Sequence, residues 1–252
     1  MPAIEAVLFD YGNTIVQYDR PQIEWIHAEL SQVLSRLLAP VDPMVLGAAM
    51  DHVCVQPHLS PDLREYTPCE QMELVLRKTY GDSLPLTEET IAAANAAFQA
   101  LFVSSIRIED ESVGVVRRLS RKVRLGLVSN YPCGDSLRRS LRSTGIADLF
   151  DPIVVSGEVG YVKPHPRMFS IALDALGVPP GSVLYVGDNW IADMLGGRRA
   201  GMRTCHFRGY TSKVHAAELA RSCPPDFAIQ RLSELESIVT PELPGHSAAD
   251  RS

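Results

Sequence analysis

Six short, almost continuously apolar runs, spaced by stretches of helical periodicity, most narrow what this chain can become. They read AVLFD (6–10), RLGLVS (124–129), PIVVS (152–156), SVLYVGD (182–188), RTCHF (203–207) and, more weakly, DFAI (226–229). Runs apolar on both faces are strands buried on both sides, which is the habit of parallel sheets covered by helices. Between them lie amphipathic stretches such as SLRRSLRSTGI (136–146) and PRMFSIALDALGV (166–178). This β-α-β alternation predicts an α/β fold with a doubly wound, mostly parallel, Rossmann-like sheet.

The interval between the first and second runs is too long for one crossover. In residues 22–38, Ile23, Ile26, Leu30, Val33, Leu34 and Leu37 fall on one helical face. Further helical segments are expected at 43–55, 69–81 and 87–102, with no strand alternation among them. The expectation is a helical domain at 17–110 inserted into an α/β core formed by 1–16 and 111–238. Residues 56–68 hold three prolines and read as a loop. Residues 239–252 read as a disordered tail.

The chain carries 24 basic and 30 acidic residues, a net charge of −6. That argues against electrostatic binding to nucleic acid or to an anionic membrane. An anionic substrate would need local positive groups or a metal. The five cysteines (Cys54, Cys69, Cys133, Cys205, Cys223) are scattered and form no CxxC, which suits a reducing compartment. No apolar run approaches the ~18 residues of a membrane span, so a cytoplasmic protein is expected. The sequence does not indicate an oligomeric state.

Ligands of open α/β sheets bind at the carboxyl ends of the strands. Four such ends carry polar residues here. The first leads into Asp10, Gly12, Asn13 and Thr14, and the second ends in Ser129 and Asn130. Lys163 follows the third, and Asp188 with Asp193 follows the fourth. Asp10, Asp188 and Asp193 would therefore meet at one edge of the sheet. Carboxylates at 4 Å repel by about 4 kcal/mol per pair at an effective dielectric of 20, so the cluster calls for a cation. An all-oxygen site with room for water suits Mg²⁺. Lys163 adds positive charge, and hydroxyls from Thr14 and Ser129 can cradle further oxygens. Such a pocket suits phosphate.

The motifs VLFDYGNT, LGLVSN, GYVKPHPRMF and YVGDNWIADMLGGRRAGM resemble those of the haloacid dehalogenase superfamily of phosphohydrolases, in the branch with a helical cap after the first strand. The resemblance covers roughly residues 4–235. It implies that Asp10 is the nucleophile that forms an aspartyl-phosphate. It implies that Thr14, Ser129 and Asn130 bind phosphate oxygens. Lys163 would hold both the nucleophile and the phosphoryl group. Asp10, the Gly12 carbonyl, Asp188 and Asp193 would hold Mg²⁺, and the substrate would be a small phosphate monoester.

One position departs from that pattern. Relatives usually carry a second aspartate as general acid/base where this chain has Gly12, a contribution typically worth about 10²–10⁴-fold. Restoring it as Gly12→Asp is expected to favour poor leaving groups. Other readings stay open: a metal-free 2-haloacid dehalogenase, a phosphonate-cleaving enzyme using Lys78 as an imine, and a regulatory or binding protein with a weakened site. The expected helical domain offers Tyr18, Arg20, Trp25, His58, Arg64, Tyr66, Arg77 and Lys78 as specificity candidates. Arg64 and Arg77 are candidates to pair a second anionic group.

Overall fold

The computed structural model describes residues 2–82, 84–210 and 222–240. Its six strands are β1 (Ala6–Phe9), β2 (Arg124–Ser129), β3 (Ile153–Val155), β4 (Val183–Gly187), β5 (Arg203–Phe207) and β6 (Phe227–Ile229). They form one sheet in the order β3-β2-β1-β4-β5-β6, with every pairing parallel. The fold is thus the doubly wound α/β architecture that the apolar runs predict. Strand β1 lies between β2 and β4, where the winding reverses. Asp10 leaves β1 at that crevice, the place where such sheets bind ligands.

Alternation along β1 sends its side chains to opposite faces. Val7 and Phe9 join the larger core with Leu127, Leu137, Leu184 and Val186. Ala6 and Leu8 join the other, with Met168, Phe169 and Tyr185. The covering helices include α5 (Asp110–Leu119), α6 (Gly134–Ser143), α7 (Ser156–Val159), α8 (Pro166–Leu176), α9 (Gly196–Arg199) and α10 (Leu235–Val239). Among the described residues, no single helix is long and apolar enough to cross a membrane.

Four helices fill the interval between β1 and β2: α1 (Arg20–Leu37), α2 (Pro43–Leu59), α3 (Pro68–Tyr80) and α4 (Glu88–Ser105). Each starts on a side-chain cap that occupies an otherwise orphaned backbone N–H. Asp19 accepts from the Gln22 N–H at 2.8 Å, and Asp42 from the Met44 N–H at 2.7 Å. Thr67 and Glu70 cap α3 reciprocally, and Thr87 accepts from the Thr90 N–H. The four helices bury a core of their own, including Leu30, Leu34, Leu46, Leu76 and Ile91. The end of α4 departs from it, because Phe102 packs into the sheet-side core.

Three local expectations are corrected. The proline-rich stretch is helical up to Leu59, with Pro57 buried inside α2, and the loop begins only at Ser60. Apolar packing there outweighs one lost backbone hydrogen bond. On α1, Ile23 and Leu37 are exposed while Ser31 is buried, so the buried stripe is narrower than the sequence pattern. Val239, placed in the expected tail, is buried in α10. Residues 241–252 of that tail lie outside the described residues.

The α2–α3 loop is fastened to the core loop that leads to Lys163. The Glu65 N–H donates to the Gly160 carbonyl at 3.0 Å, and the Val162 N–H to the Leu63 carbonyl at 2.9 Å. Beside them the Ser156 hydroxyl donates to the buried Glu65 carboxylate at 2.6 Å.

Candidate active site

At the carboxyl end of the sheet a cavity of about 320 Å³ opens between the core and the helical insertion. Asp10, Gly12, Ser129, Asn130, Lys163, Asp188 and Asp193 line its charged side, together with Asn13 and Asn189. Tyr18, His58, Phe102 and Tyr131 line the rest, with Tyr11 and Ala192.

The Lys163 ammonium organises the charged side. Its nitrogen lies 2.6 Å from Asp10 Oδ1, 2.8 Å from Asp193 Oδ1, 2.8 Å from the Val128 carbonyl and 2.9 Å from the Tyr185 hydroxyl. Three N–H protons thus face four oxygens, and the group is fully buried. Burial by itself would lower the Lys163 pKa. The charges of Asp10 and Asp193 outweigh that effect and hold it well above the usual lysine value.

The turn after β4 brings Asp193 back over the strand end. Asn189 accepts from the Ile191 and Ala192 N–H groups at 2.9 Å each, which starts the helical turn Trp190–Leu195. The Asn189 N–H donates to Asp193 Oδ2 at 2.9 Å. Gly187 lies so close to the Asp193 carboxylate that a Cβ there would collide with it. Asn189 therefore positions Asp193 through its backbone, whereas the Asp188 carbonyl accepts a hydrogen bond from His206 Nε2 at 2.9 Å.

Asp10, Asp188 and Asp193 each offer a carboxylate oxygen within 4.8 Å of the other two. Burial raises the Asp10 pKa to about 6, with Lys163 opposing the shift and Asp193 adding to it. Burial, followed by the charges of Asp10 and Asp193, raises Asp188 to about 8. With all three carboxylates ionised, the single ammonium leaves a charge of −2. This all-oxygen donor set, two negative charges in excess, fits a hard divalent cation.

The other residues singled out by sequence take varied positions. Ser129 is buried at the end of β2 and lines the cavity. Thr14 is fully buried, and its hydroxyl donates to Asp10 Oδ2 across a long 3.4 Å. The Asn130 side chain spends both polar atoms on the Lys163 backbone: its Oδ1 accepts from the Lys163 N–H at 2.6 Å, and its Nδ2 donates to the Lys163 carbonyl at 3.2 Å. Of the specificity candidates, Tyr18 and His58 line the cavity. Arg20, Arg64 and Arg77 are already paired with Glu24, Glu70 and Glu73. Desolvation, followed by the nearby Lys163 charge, lowers the His58 pKa.

Of the aromatic side of the cavity, sequence reasoning named Tyr18 and missed Phe102 and Tyr131. Phe102 stacks on Tyr131 with centroids 4.5 Å apart and planes at 20°, and Tyr18 packs on Phe102 at 5.8 Å. In the sequence, Phe102 reads as the last apolar residue of a helix and Tyr131 as a loop residue. Their only signal is position, one at the end of a helix and the other two residues past a strand.

Residues 4–201 match the family model of haloacid dehalogenase-like hydrolases. Rat N-acylneuraminate-9-phosphatase (Rattus norvegicus) is 26% identical over 246 residues, covering 94% of each chain. The pyrimidine 5′-nucleotidase YjjG of Escherichia coli is 34% identical over 131 residues, 51% of this chain and 55% of that enzyme's length. Among solved structures, the putative HAD-hydrolase YfnB of Bacillus subtilis, determined with magnesium bound, superposes with a TM-score of 0.71. It is 18% identical and covers 94% of this chain and 99% of its own. Structures of 2-haloacid dehalogenases share the fold as well.

Proposed function

The chain belongs to the haloacid dehalogenase-like hydrolases, and from that premise we propose that it is a Mg²⁺-dependent phosphatase acting on a small phosphate monoester. The observation that carries this reading is the charge balance around Lys163. One ammonium bridges Asp10 and Asp193 at 2.6 and 2.8 Å, yet three carboxylates converge. A site that needs a further dication beside a potential nucleophile is suited to draw a phosphate dianion onto that nucleophile.

Asp10 would attack phosphorus in line, forming an aspartyl-phosphate as the bond to the ester oxygen breaks; the departing oxygen takes its proton from water and leaves as the alcohol. Lys163 holds Asp10 Oδ1 in place and faces the incoming charge. Asp10 Oδ2, Asp188, Asp193 Oδ2 and the Gly12 carbonyl would hold Mg²⁺. When bound, that ion would supply charge neutralisation at the phosphoryl oxygens and favour the ionised carboxylates. Ser129, with the backbone at Tyr11 and Asn130, would receive the remaining phosphoryl oxygens. Water attacking phosphorus then releases inorganic phosphate and restores Asp10. The four-helix insertion acts as the cap, since His58 of α2 and Phe102 of α4 wall the cavity and limit water there.

Gly12 favours a second reading, because a 2-haloacid dehalogenase has no need of an acid at that place. The two readings separate on metal dependence. A phosphatase releases phosphate from an activated aryl phosphate only with Mg²⁺, and a chelator abolishes this. Full hydrolytic activity in chelator on a 2-haloacid would select the dehalogenase. No turnover of either substrate, with wild type equal to Asp10→Asn, would select a binding protein.

A further inference from the structure

Gly12 leaves a gap in the chemistry of the site, and another residue fills the corresponding space. A Cβ built on Gly12 would lie 2.6 Å from Cε2 of the Tyr18 ring and 3.0 Å from its Cδ2. No side chain fits at position 12 while Tyr18 stays where it is. The ring is held firmly. Asn13, in the left-handed conformation at φ 55°, accepts from the Tyr18 N–H at 2.9 Å. Phe102 and Tyr11 pack against the ring at 5.8 and 6.4 Å between centroids.

The Tyr18 hydroxyl oxygen is buried and has no hydrogen-bond partner among the described residues. Of the four such side-chain atoms, it alone belongs to a residue lining the cavity. Leaving a buried hydroxyl unpartnered is destabilising, a cost that a bound acceptor would return. Tyr18 also sits where the charged side of the cavity, at Gly12, meets the aromatic side, at Phe102. A phosphate ester directs its phosphoryl oxygens toward Lys163 and the carboxylate cluster and its organic part toward the aromatic side. An ester bound in this way would carry its bridging oxygen at that junction.

We propose that the Tyr18 hydroxyl donates a hydrogen bond to the bridging oxygen of the substrate, stabilising it as it departs, while the Tyr18 ring stands in the space that a side chain at position 12 would otherwise occupy. The inference rests on the phosphatase reading. It treats Tyr18 as a fixed neutral donor and requires no proton transfer from it.

The test compares full-length wild type with Tyr18→Phe in Mg²⁺ on a series of phosphate esters, from nitrophenyl to simple alkyl. The expected result is a kcat/KM loss of about 10–100-fold on alkyl esters, with little loss on nitrophenyl esters, whose leaving oxygen needs no help. Because the variant only removes an unpartnered hydroxyl, its melting temperature should stay level or rise. Equal losses across the series would assign the hydroxyl to a phosphoryl oxygen and overturn the proposal. No loss anywhere, or a fall in melting temperature, would overturn it as well. Absence of turnover by wild type on every ester would instead refute the phosphatase reading, and this inference with it.

Discussion

The side-chain amide of Asn130 grips the backbone of Lys163 at both its polar atoms, at 2.6 Å through the N–H and 3.2 Å through the carbonyl. This pair joins the end of β2 to the loop after β3 and sets where the Lys163 side chain begins. The ammonium then needs only its own length to reach Asp10 and Asp193.

Asn130→Ala should therefore damage catalysis without touching a charge. It removes two partly buried hydrogen bonds, at a cost of about 1–3 kcal/mol in total. If the lysine drifts, kcat falls about tenfold or more while KM changes little. Steady-state kinetics on an aryl phosphate check this. A change confined to KM would show that Asn130 serves phosphate binding rather than Lys163.

Lys163→Met leaves three converging carboxylates with no ammonium among them. Breaking a buried pair in this way costs about 3–5 kcal/mol. Denaturant unfolding without metal should show a loss of that order, and Mg²⁺ should recover more stability in the variant than in wild type. Equal stabilisation by Mg²⁺ in both would contradict the shared electrostatics.

Metal removal carries a pH signature. The folded Asp188 pKa stands at about 8 against 3.8 for the free group, so the metal-free folded state binds the extra proton. Its stabilising effect is complete below about pH 4 and is lost as pH rises through about 8. The metal-free protein should therefore weaken across that window, and the rise in melting temperature on adding Mg²⁺ should be larger at pH 8 than at pH 5. Asp188→Asn should flatten both trends. A Mg²⁺ effect independent of pH in wild type would speak against a cation held by these carboxylates.

Gly12→Asp, which the sequence suggests as a repair, should impair the enzyme. Its Cβ would lie 2.6 Å from the Tyr18 ring, so the ring must move. Melting temperature and turnover should both fall. The same change in a Tyr18→Ala background should cost less, giving a coupling of about 0.5–3 kcal/mol in a double-mutant cycle. Additive effects would mean that the two side chains do not compete for the space.

What the sequence could disclose followed physical rules. The β2 and β4 segments stood out because apolar runs buried on both faces have no other ready explanation. Asp10, Asp188 and Asp193 stood out because each charge closes or follows such a run, which brings them to one sheet edge once the topology is known. Phe102 and Tyr131 did not stand out, since an aromatic residue at a helix end or in a loop looks the same whether it packs in a core or walls a cavity. In the sequence Asn130 presents itself as a phosphate ligand, because nothing local reveals that its side chain pairs with a backbone 33 positions onward. The helical turn around Pro57 was hidden for a similar reason: burial against distant residues outweighed the local breaker.

The central claim is that Asp10 takes the phosphoryl group. The most direct measurement is a rapid acid quench of the Mg²⁺-loaded enzyme during turnover of an aryl phosphate, followed by borohydride reduction and peptide mass spectrometry. The account predicts that the acyl-phosphate trap maps to Asp10 and is missing in Asp10→Asn. Phosphate release at full rate with the trap on another residue, or persisting in Asp10→Asn, would contradict it.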